Sequence, residues 1–262
     1  MIPFFQLNTF SIGPVHLQVW GVCVALGIVV GTYASVWYGH TRFGLIRSQI
    51  IDLSFWMTFA ALIGARVWYV IFEWPSGVMN AGWEAFAVWN GGMSLSGSLV
   101  CGGIVLVVYA KRKKISLSHI CASLAFGLPF GIALGRLGCF FIYDHPGTPT
   151  HFFLGQEYVD GIVRHNTGLY LALASALNAL LFVILIRKKT IDAYVLPALF
   201  LIFYGLSRCV LDLLRATDLA HTDARFLGLT TAQYVGAIFI VIGLSVWYAH
   251  RHEAPSQKKK NR

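Results

Sequence analysis

The chain has 262 residues, 57% of them hydrophobic and only 12% charged, with a mean hydropathy of +0.67. A soluble domain of this length cannot hide so much apolar surface, so composition excludes the soluble classes and points to a polytopic membrane protein. The formal net charge of +9 would suit a nucleic-acid partner, but its distribution along the chain has another cause.

Residues 1–16 read as a short amphipathic lead. Seven predicted spans follow, at 17–38, 50–73, 91–110, 117–142, 167–186, 194–214 and 230–249. Each is about 20 residues long, as a hydrocarbon core of about 30 Å requires. The longest connections are 74–90, 143–166 and 215–229. The first segment is too long and too poorly flanked for a cleaved signal peptide and is read as retained. The fold class expected is therefore an all-α integral membrane protein of seven transmembrane helices. A single domain covers 1–250, and a basic tail covers 251–262. Cys23, Cys101, Cys121, Cys139 and Cys209 all fall in apolar segments without CxxC spacing, so they read as small buried hydrophobes.

Basic residues set the orientation. Arg42 and Arg47 follow span one, Lys111, Arg112, Lys113 and Lys114 span three, and Arg187, Lys188 and Lys189 span five. Arg251, Lys258, Lys259, Lys260 and Arg262 follow span seven. The opposite side carries only Arg164, Arg215 and Arg225 against seven acids, from Glu73 to Asp223. The positive-inside rule then places the N-terminus outside and the C-terminus in the cytoplasm. The basic excess is a topology signal that also suits anionic lipid heads, and no nucleic acid is needed to explain it.

Arg66, Arg136 and Arg208 remain, inside spans two, four and six. Each lies roughly 9–10 Å below the outer boundary at 1.5 Å per residue. A cation in hydrocarbon costs about 3 kcal/mol or more, so the three should face a bundle interior or a wet cavity and need an anion. Around Arg136, Gly127, Gly131 and Gly135 recur every fourth residue, which bares one helix face for close packing. Pro129 removes an amide donor from the same helix and is expected to bend it.

Arg208, Asp212 and Arg215 share one helical face. They read either as an intrahelical ion pair that neutralises itself or as half of an anion site. Asp212 and Asp144 are the only acids near the outer span ends, against Arg66, Arg136, Arg208 and Arg215, so the surplus is positive. A planar guanidinium fork suits phosphate oxygens. The run Trp89-Asn90-Gly91-Gly92-Met93-Ser94-Leu95-Ser96-Gly97 reads as a tight helix start or as an amide end that favours anions. Asp144, His145, His151, Glu157, Asp160 and His165 populate the loop 143–166, but without the spacing of a metal-ligand set, so no metal and no cofactor are expected.

Several stretches together resemble the prolipoprotein diacylglyceryl transferase family. Gly135-Arg136-Leu137-Gly138-x-Phe140, ending in Asp144 and Gly147, is similar to its signature Gly-Arg-x-Gly-Asn-Phe-x-Asn-Gly-Glu-x-x-Gly. Gly91-Gly92-Met93-Ser94 resembles its Gly-Gly-Met-Ser-Phe-His motif, and Gly64-Ala65-Arg66-Val67-Trp68-Tyr69 its second-helix motif. His165-Asn166-Thr167-Gly168-Leu169-Tyr170 resembles His-Pro-Thr-Gln-Leu-Tyr. The run from Tyr204 and Gly205 through Arg208, Asp212 and Arg215 to Asp218 resembles Tyr-Gly-x-x-Arg-Phe-x-x-Glu-x-x-Arg-x-Pro-Asp. Ser96 stands where the family has histidine, Cys139 where it has asparagine, Asp144 where it has glutamate and Trp20 where it has a first-helix tyrosine.

The resemblance implies transfer of a diacylglyceryl group from phosphatidylglycerol, or a similar anionic phospholipid, to the cysteine thiol in the signal peptide of a lipoprotein precursor. The setting it implies is the outer face of a bacterial inner membrane. It further implies that Arg136 and Arg208 hold phosphate, and that Asp144 and Asp212 orient them or take the thiol proton. His145 stands by as the base that serine cannot be, or as a plain interfacial loop residue. Arg66, Trp20, Gly91, Gly92, Met93, Ser94, Ser96, Cys139, Gly147, Tyr204 and Arg215 complete the expected substrate site. Two other readings stay open: a paralogue that moves the lipid to a different acceptor or cleaves it, or a phospholipid-binding membrane protein without catalysis.

Overall fold

The structure is a computed structural model that describes residues 1–74, 82–87, 91–188, 191–219 and 225–258. Among the described residues, seven helices are long and apolar enough to cross a membrane. They are α1 (Val19–Phe43), α2 (Arg47–Trp68), α3 (Leu95–Arg112), α4 (Leu117–Ile142), α5 (Thr167–Leu185), α6 (Val195–Leu211) and α7 (Thr231–Lys258). A π turn, Tyr69–Glu73, extends α2, and a 3-10 turn, Asp212–Leu214, extends α6. The spans fall where hydropathy places them, except that the third begins later. Gly91 and Gly92 take positive φ of 80° and 74°, and the helix starts only after Ser94. Trp89 and Asn90 lie outside the described residues. By contacts the chain divides into two compact units, Met1–Ser35 with Cys121–Arg262, and Val36–Ile120.

In the first unit, glycine governs how closely the helices approach. A Cβ on Gly131 would meet the Gly27 carbonyl oxygen at 2.7 Å, and one on Gly31 the Gly127 oxygen at 3.2 Å, so α1 and α4 pack backbone to backbone. Gly135 is different, because its nearest neighbour would be Val24 at 3.8 Å. The pair α6 and α7 repeats the device. Gly205 and Gly236 face each other's carbonyls at 2.5 and 2.9 Å, and Gly243 faces Ala198 O at 2.8 Å. α4 continues as helix through Pro129.

The ends of these helices carry short strands that helical periodicity does not announce. β1 (Thr9–Ile12) and β2 (Val15–Gln18) form a hairpin that runs directly into α1. The connection after α4 folds as an antiparallel sheet of β3 (Pro146–Pro149), β4 (Gln156–Glu157) and β5 (Val163–Asn166), in the order β3-β5-β4. A last ribbon, β6 (Arg225–Phe226) with β7 (Leu229–Thr230), leads into α7. The three-stranded sheet closes on buried amides. Asn166 Nδ2 donates to Gln156 Oε1 at 2.7 Å, and Gln156 Nε2 donates to Phe5 O at 3.3 Å. Asn166 Oδ1 also accepts from Leu169 N at 3.0 Å and so caps α5.

In the second unit, Gly64 and Gly97 bring α2 and α3 together, a Cβ on Gly64 meeting Gly97 O at 2.5 Å. Ser98 Oγ donates to Ala61 O at 3.2 Å, and Tyr109 donates to Asp52 Oδ2 at 2.7 Å across the same helix pair.

Candidate functional site

The first unit gathers its charges where α4 and α6 end and α7 begins. Arg208 is 5% exposed and Asp212 fully buried. Arg208 Nη1 lies 3.3 Å from Asp212 Oδ1, Arg208 Nη2 donates to Oδ2 at 3.4 Å, and Arg215 Nε lies 3.4 Å from Oδ1. These contacts are long for charge-assisted bonds. Arg208 Nε and Nη1 find no hydrogen-bond acceptor among the described residues.

Arg136, half-buried on α4, lies close enough to Arg208 to repel it, and Tyr204 lies beside both guanidinium groups. Arg136 Nη1 makes a 3.8 Å contact with Cys139 Sγ, and among the described residues it pairs with no carboxylate. Trp20 and Cys23 pack on Gly138, whose Cβ would meet them at 3.2 and 2.8 Å. Arg136, Cys139, Trp20, Tyr204, Arg208, Asp212 and Arg215 thus belong to one unit, and their charges leave a cationic surplus.

The signature stretch after Arg136 leaves the helix through Tyr143, whose φ of 51° is left-handed without being glycine. Its burial and its hydroxyl bond to Gln156 O at 2.9 Å hold that turn. Burial and nearby Asp160 and Tyr158 raise its phenol well above the usual range, so it stays a donor. Asp144 emerges there and pairs with His145 Nε2 at 3.2 Å, both side chains partly exposed. Thr167 Oγ1 fixes the His145 carbonyl at 2.8 Å. Gly147 bridges Arg215 as an isolated antiparallel pair. A Cβ there would strike Leu214 O at 2.5 Å and His165 Cβ at 2.7 Å, so only glycine fits.

Two groups escape sequence reasoning. Arg164, 2% exposed, donates to both oxygens of Asp218 at 3.0 and 2.8 Å and to Asp160 at 2.9 Å, which ties β5 to the chain after α6. The Arg164 guanidinium holds the Asp218 carboxyl below the usual range, and the Ile162 amide followed by Arg164 does so for Asp160. The second group is Thr230, whose hydroxyl donates to Asp212 Oδ2 at 2.8 Å. Its signal was readable, because Thr230-Thr231-Ala232-Gln233 is a capping box. Gln233 N donates to Thr230 Oγ1 at 3.2 Å, and Thr230 N donates to Gln233 Oε1 at 2.9 Å.

In the second unit, Arg66 is buried and satisfied by backbone. Nε donates to Ala85 O at 2.9 Å, Nη2 to Glu84 O at 2.6 Å, and Nη1 to Gly92 O at 2.9 Å and to Gly91 O. Its guanidinium carbon sits 5.6 and 5.5 Å from the Tyr69 and Trp74 ring centres, in cation–π range. Ser94 Oγ donates to Glu73 Oε1 at 2.6 Å, Met93 is exposed, and Ser96 is half-buried in the first turn of α3. Among the described residues no three His, Cys, Asp or Glu side chains gather as a metal-ligand set.

The sequence model of prolipoprotein diacylglyceryl transferase matches residues 8–249 of this chain. The chain belongs to that family. Relatives in Streptococcus pneumoniae strains Spain 23F-1 and Taiwan19F-14 are 31% identical over 254 residues, which is 94% of this chain and 94% of each of theirs. The relative in strain TIGR4 is 30% identical over the same length. All three carry the name phosphatidylglycerol–prolipoprotein diacylglyceryl transferase. Like its family, this diacylglyceryl transferase homologue is a multi-pass membrane protein, with seven helices of spanning length.

Proposed function

We propose that the protein transfers the diacylglyceryl group of phosphatidylglycerol to the lipobox cysteine thiol of prolipoproteins. The observation that carries this reading is the cationic surplus around Arg136 and Arg208 in a chain of this family. A half-buried guanidinium beside a buried one that shares its single carboxylate leaves the cluster short of negative charge, and a phospholipid phosphate has the charge and the oxygens to complete it.

In the reaction, the thiolate sulfur attacks the glyceryl carbon that bears the phosphate ester. The carbon–sulfur bond forms, the carbon–oxygen bond breaks, and glycerol phosphate leaves with the electron pair. Arg136 and Arg208 hold the phosphate and stabilise the charge that builds on it, with Tyr204 and Arg215 beside them. Cys139 and Trp20 border that site. Asp212 orients Arg208 and Arg215. With Ser96 in the place of the family histidine, the thiol proton goes to His145, which Asp144 orients at 3.2 Å. Gly147 holds this loop against Arg215. Arg66 and the segment Gly91, Gly92, Met93 and Ser94 keep the substrate-binding role that the family resemblance implies, with Arg66 holding that segment by its Gly91 and Gly92 carbonyls. The basic residues after odd-numbered spans support an outside N-terminus, a cytoplasmic C-terminus and a site open to the outer leaflet of the bacterial inner membrane.

The test is an assay of the purified protein with phosphatidylglycerol and a synthetic lipobox peptide, read by mass for a diacylglyceryl thioether. Product is expected from the wild type. Arg136→Ala should lose both product and bound phosphatidylglycerol, and His145→Gln should lose turnover and keep the lipid. Retained lipid after changing both Arg136 and Arg208 would sink the reading. Bound lipid without any thioether would favour the second reading, a different acceptor, for which the serine at position 96 is the specific observation.

A further inference from the structure

We propose that Thr230 is a positioning residue of the transfer site, and that its hydroxyl, held at the start of α7, sets the arginine cluster through Asp212. The proposal rests on the transferase reading above. Asp212 closes α6, where the exposed carbonyls of a helix end disfavour an anion, and it is fully buried. Its contacts with Arg208 and Arg215 run from 3.3 to 3.4 Å, so neither guanidinium fixes its rotamer tightly. Among the described residues, the one short bond it makes comes from Thr230, at 2.8 Å.

Thr230 is buried too, and it stands at the start of a helix 28 residues long. Its oxygen accepts from Gln233 N, so its proton is directed away from the helix and toward Asp212. Gln233 Nε2 meanwhile donates to Cys209 O at 3.2 Å, which clasps the end of α6 to the start of α7. The clasp adds stability where the two helices meet, and the hydroxyl alone sets the carboxylate. Asp212 then presents Arg208 and Arg215 in one arrangement, with Arg208 Nε left for a phosphate oxygen.

Three variants of the full-length protein in detergent separate this role from plain helix capping. Thr230→Val keeps the shape and removes the hydroxyl. It should lower kcat/KM about tenfold to a hundredfold, the loss typical of a hydrogen bond to a charged group. Phosphatidylglycerol retained in native mass spectra should fall with it. Thr230→Ser should restore both readouts. Gln233→Leu breaks the box but leaves the hydroxyl on Asp212, so it should lower the apparent Tm and keep kcat/KM within about twofold.

Should Thr230→Val not fold, Thr230→Gly replaces it, because glycine costs a helix start only a few tenths of a kcal/mol relative to threonine. Full activity in the Val or Gly variant, failure of serine to rescue, or an equal loss in Gln233→Leu would each overturn the proposal. A wild type that makes no thioether fails the transferase reading instead, and the lipid-retention series then decides on Thr230 by itself.

Discussion

Asp212→Asn tests the electrostatic account of the site most directly. The substitution keeps the volume and an oxygen for the Thr230 hydroxyl, and it removes the charge and one acceptor oxygen. Arg208 and Arg215, each about 5% exposed, then share no carboxylate at 3.3–3.4 Å. Breaking a buried pair by removing one partner costs about 3–5 kcal/mol. For a chain of this length about 2–4 °C of Tm accompanies each kcal/mol, so the apparent Tm should fall by about 6–20 °C. The assay is thermal unfolding at one scan rate, in nanodiscs of phosphatidylcholine and in nanodiscs containing phosphatidylglycerol. A ligand that binds only the folded state stabilises it by mass action. The variant's cluster is more cationic, so the deficit should be smaller with phosphatidylglycerol. An unchanged Tm, or the same deficit in both lipids, would refute the reasoning.

The sheet after α4 should loosen in two stages on acidification. Burial holds the His165 imidazole below its ordinary 6.5, so its contribution is present above that value and is lost as the pH falls below it. Asp218 and Asp160 are held below 3.8, so their pairing with Arg164 is lost only as the pH falls further, past that value. Hydrogen exchange of residues 143–166 between pH 7 and pH 3, corrected for intrinsic rates, should show both stages. His165→Gln should erase the upper stage and Asp218→Asn should flatten the lower, and uniform protection throughout would count against this account. The packing of α1 on α4 makes a paired forecast. Gly131→Ala drives a methyl to 2.7 Å from Gly27 O and should lower the apparent Tm, whereas Gly135→Ala meets nothing closer than 3.8 Å and should leave it unchanged or slightly raised.

How much of this was legible in the sequence depended on the range of each interaction. Hydropathy is a local sum, so the seven spans stand out with boundaries good to a few residues. The start of α3 slipped because Gly91 and Gly92 look apolar enough to prolong a helix, while their positive φ ends it. Helical periodicity puts Arg208, Asp212 and Arg215 on one face; the structure does bring both arginines to Asp212, but Arg215 stands in extended backbone just past the 3-10 turn. Periodicity says nothing of Thr230, which meets Asp212 only after a chain reversal through β6 and β7. The connection after α4 looked like a polar loop because its order comes from amides paired across distance. Gln156 reaches back to Phe5, and Arg164 reaches forward to Asp218. No window of sequence contains both ends of such a bond.

The arginines inside this protein fall into two groups by how their charge is met. Arg164 is met by two carboxylates with ordinary bond lengths, so its charge is spent on holding the sheet. Arg66 is met by four backbone carbonyls and two aromatic rings, so dipoles and quadrupoles solvate it and its directional donors fix a loop. Among the described residues, Arg136 and Arg208 have neither arrangement. One shares a single carboxylate with Arg215 through long contacts, and the other is left with a thiol and a phenol. Burial makes an unmatched cation costly, and that cost is what a bound phosphate would relieve. In the proposed transfer, the negative charge growing on the departing phosphate would offset more of that surplus, so the site would be matched better to the departing group than to the lipid at rest. Differential stabilisation of that kind is what accelerates a transfer.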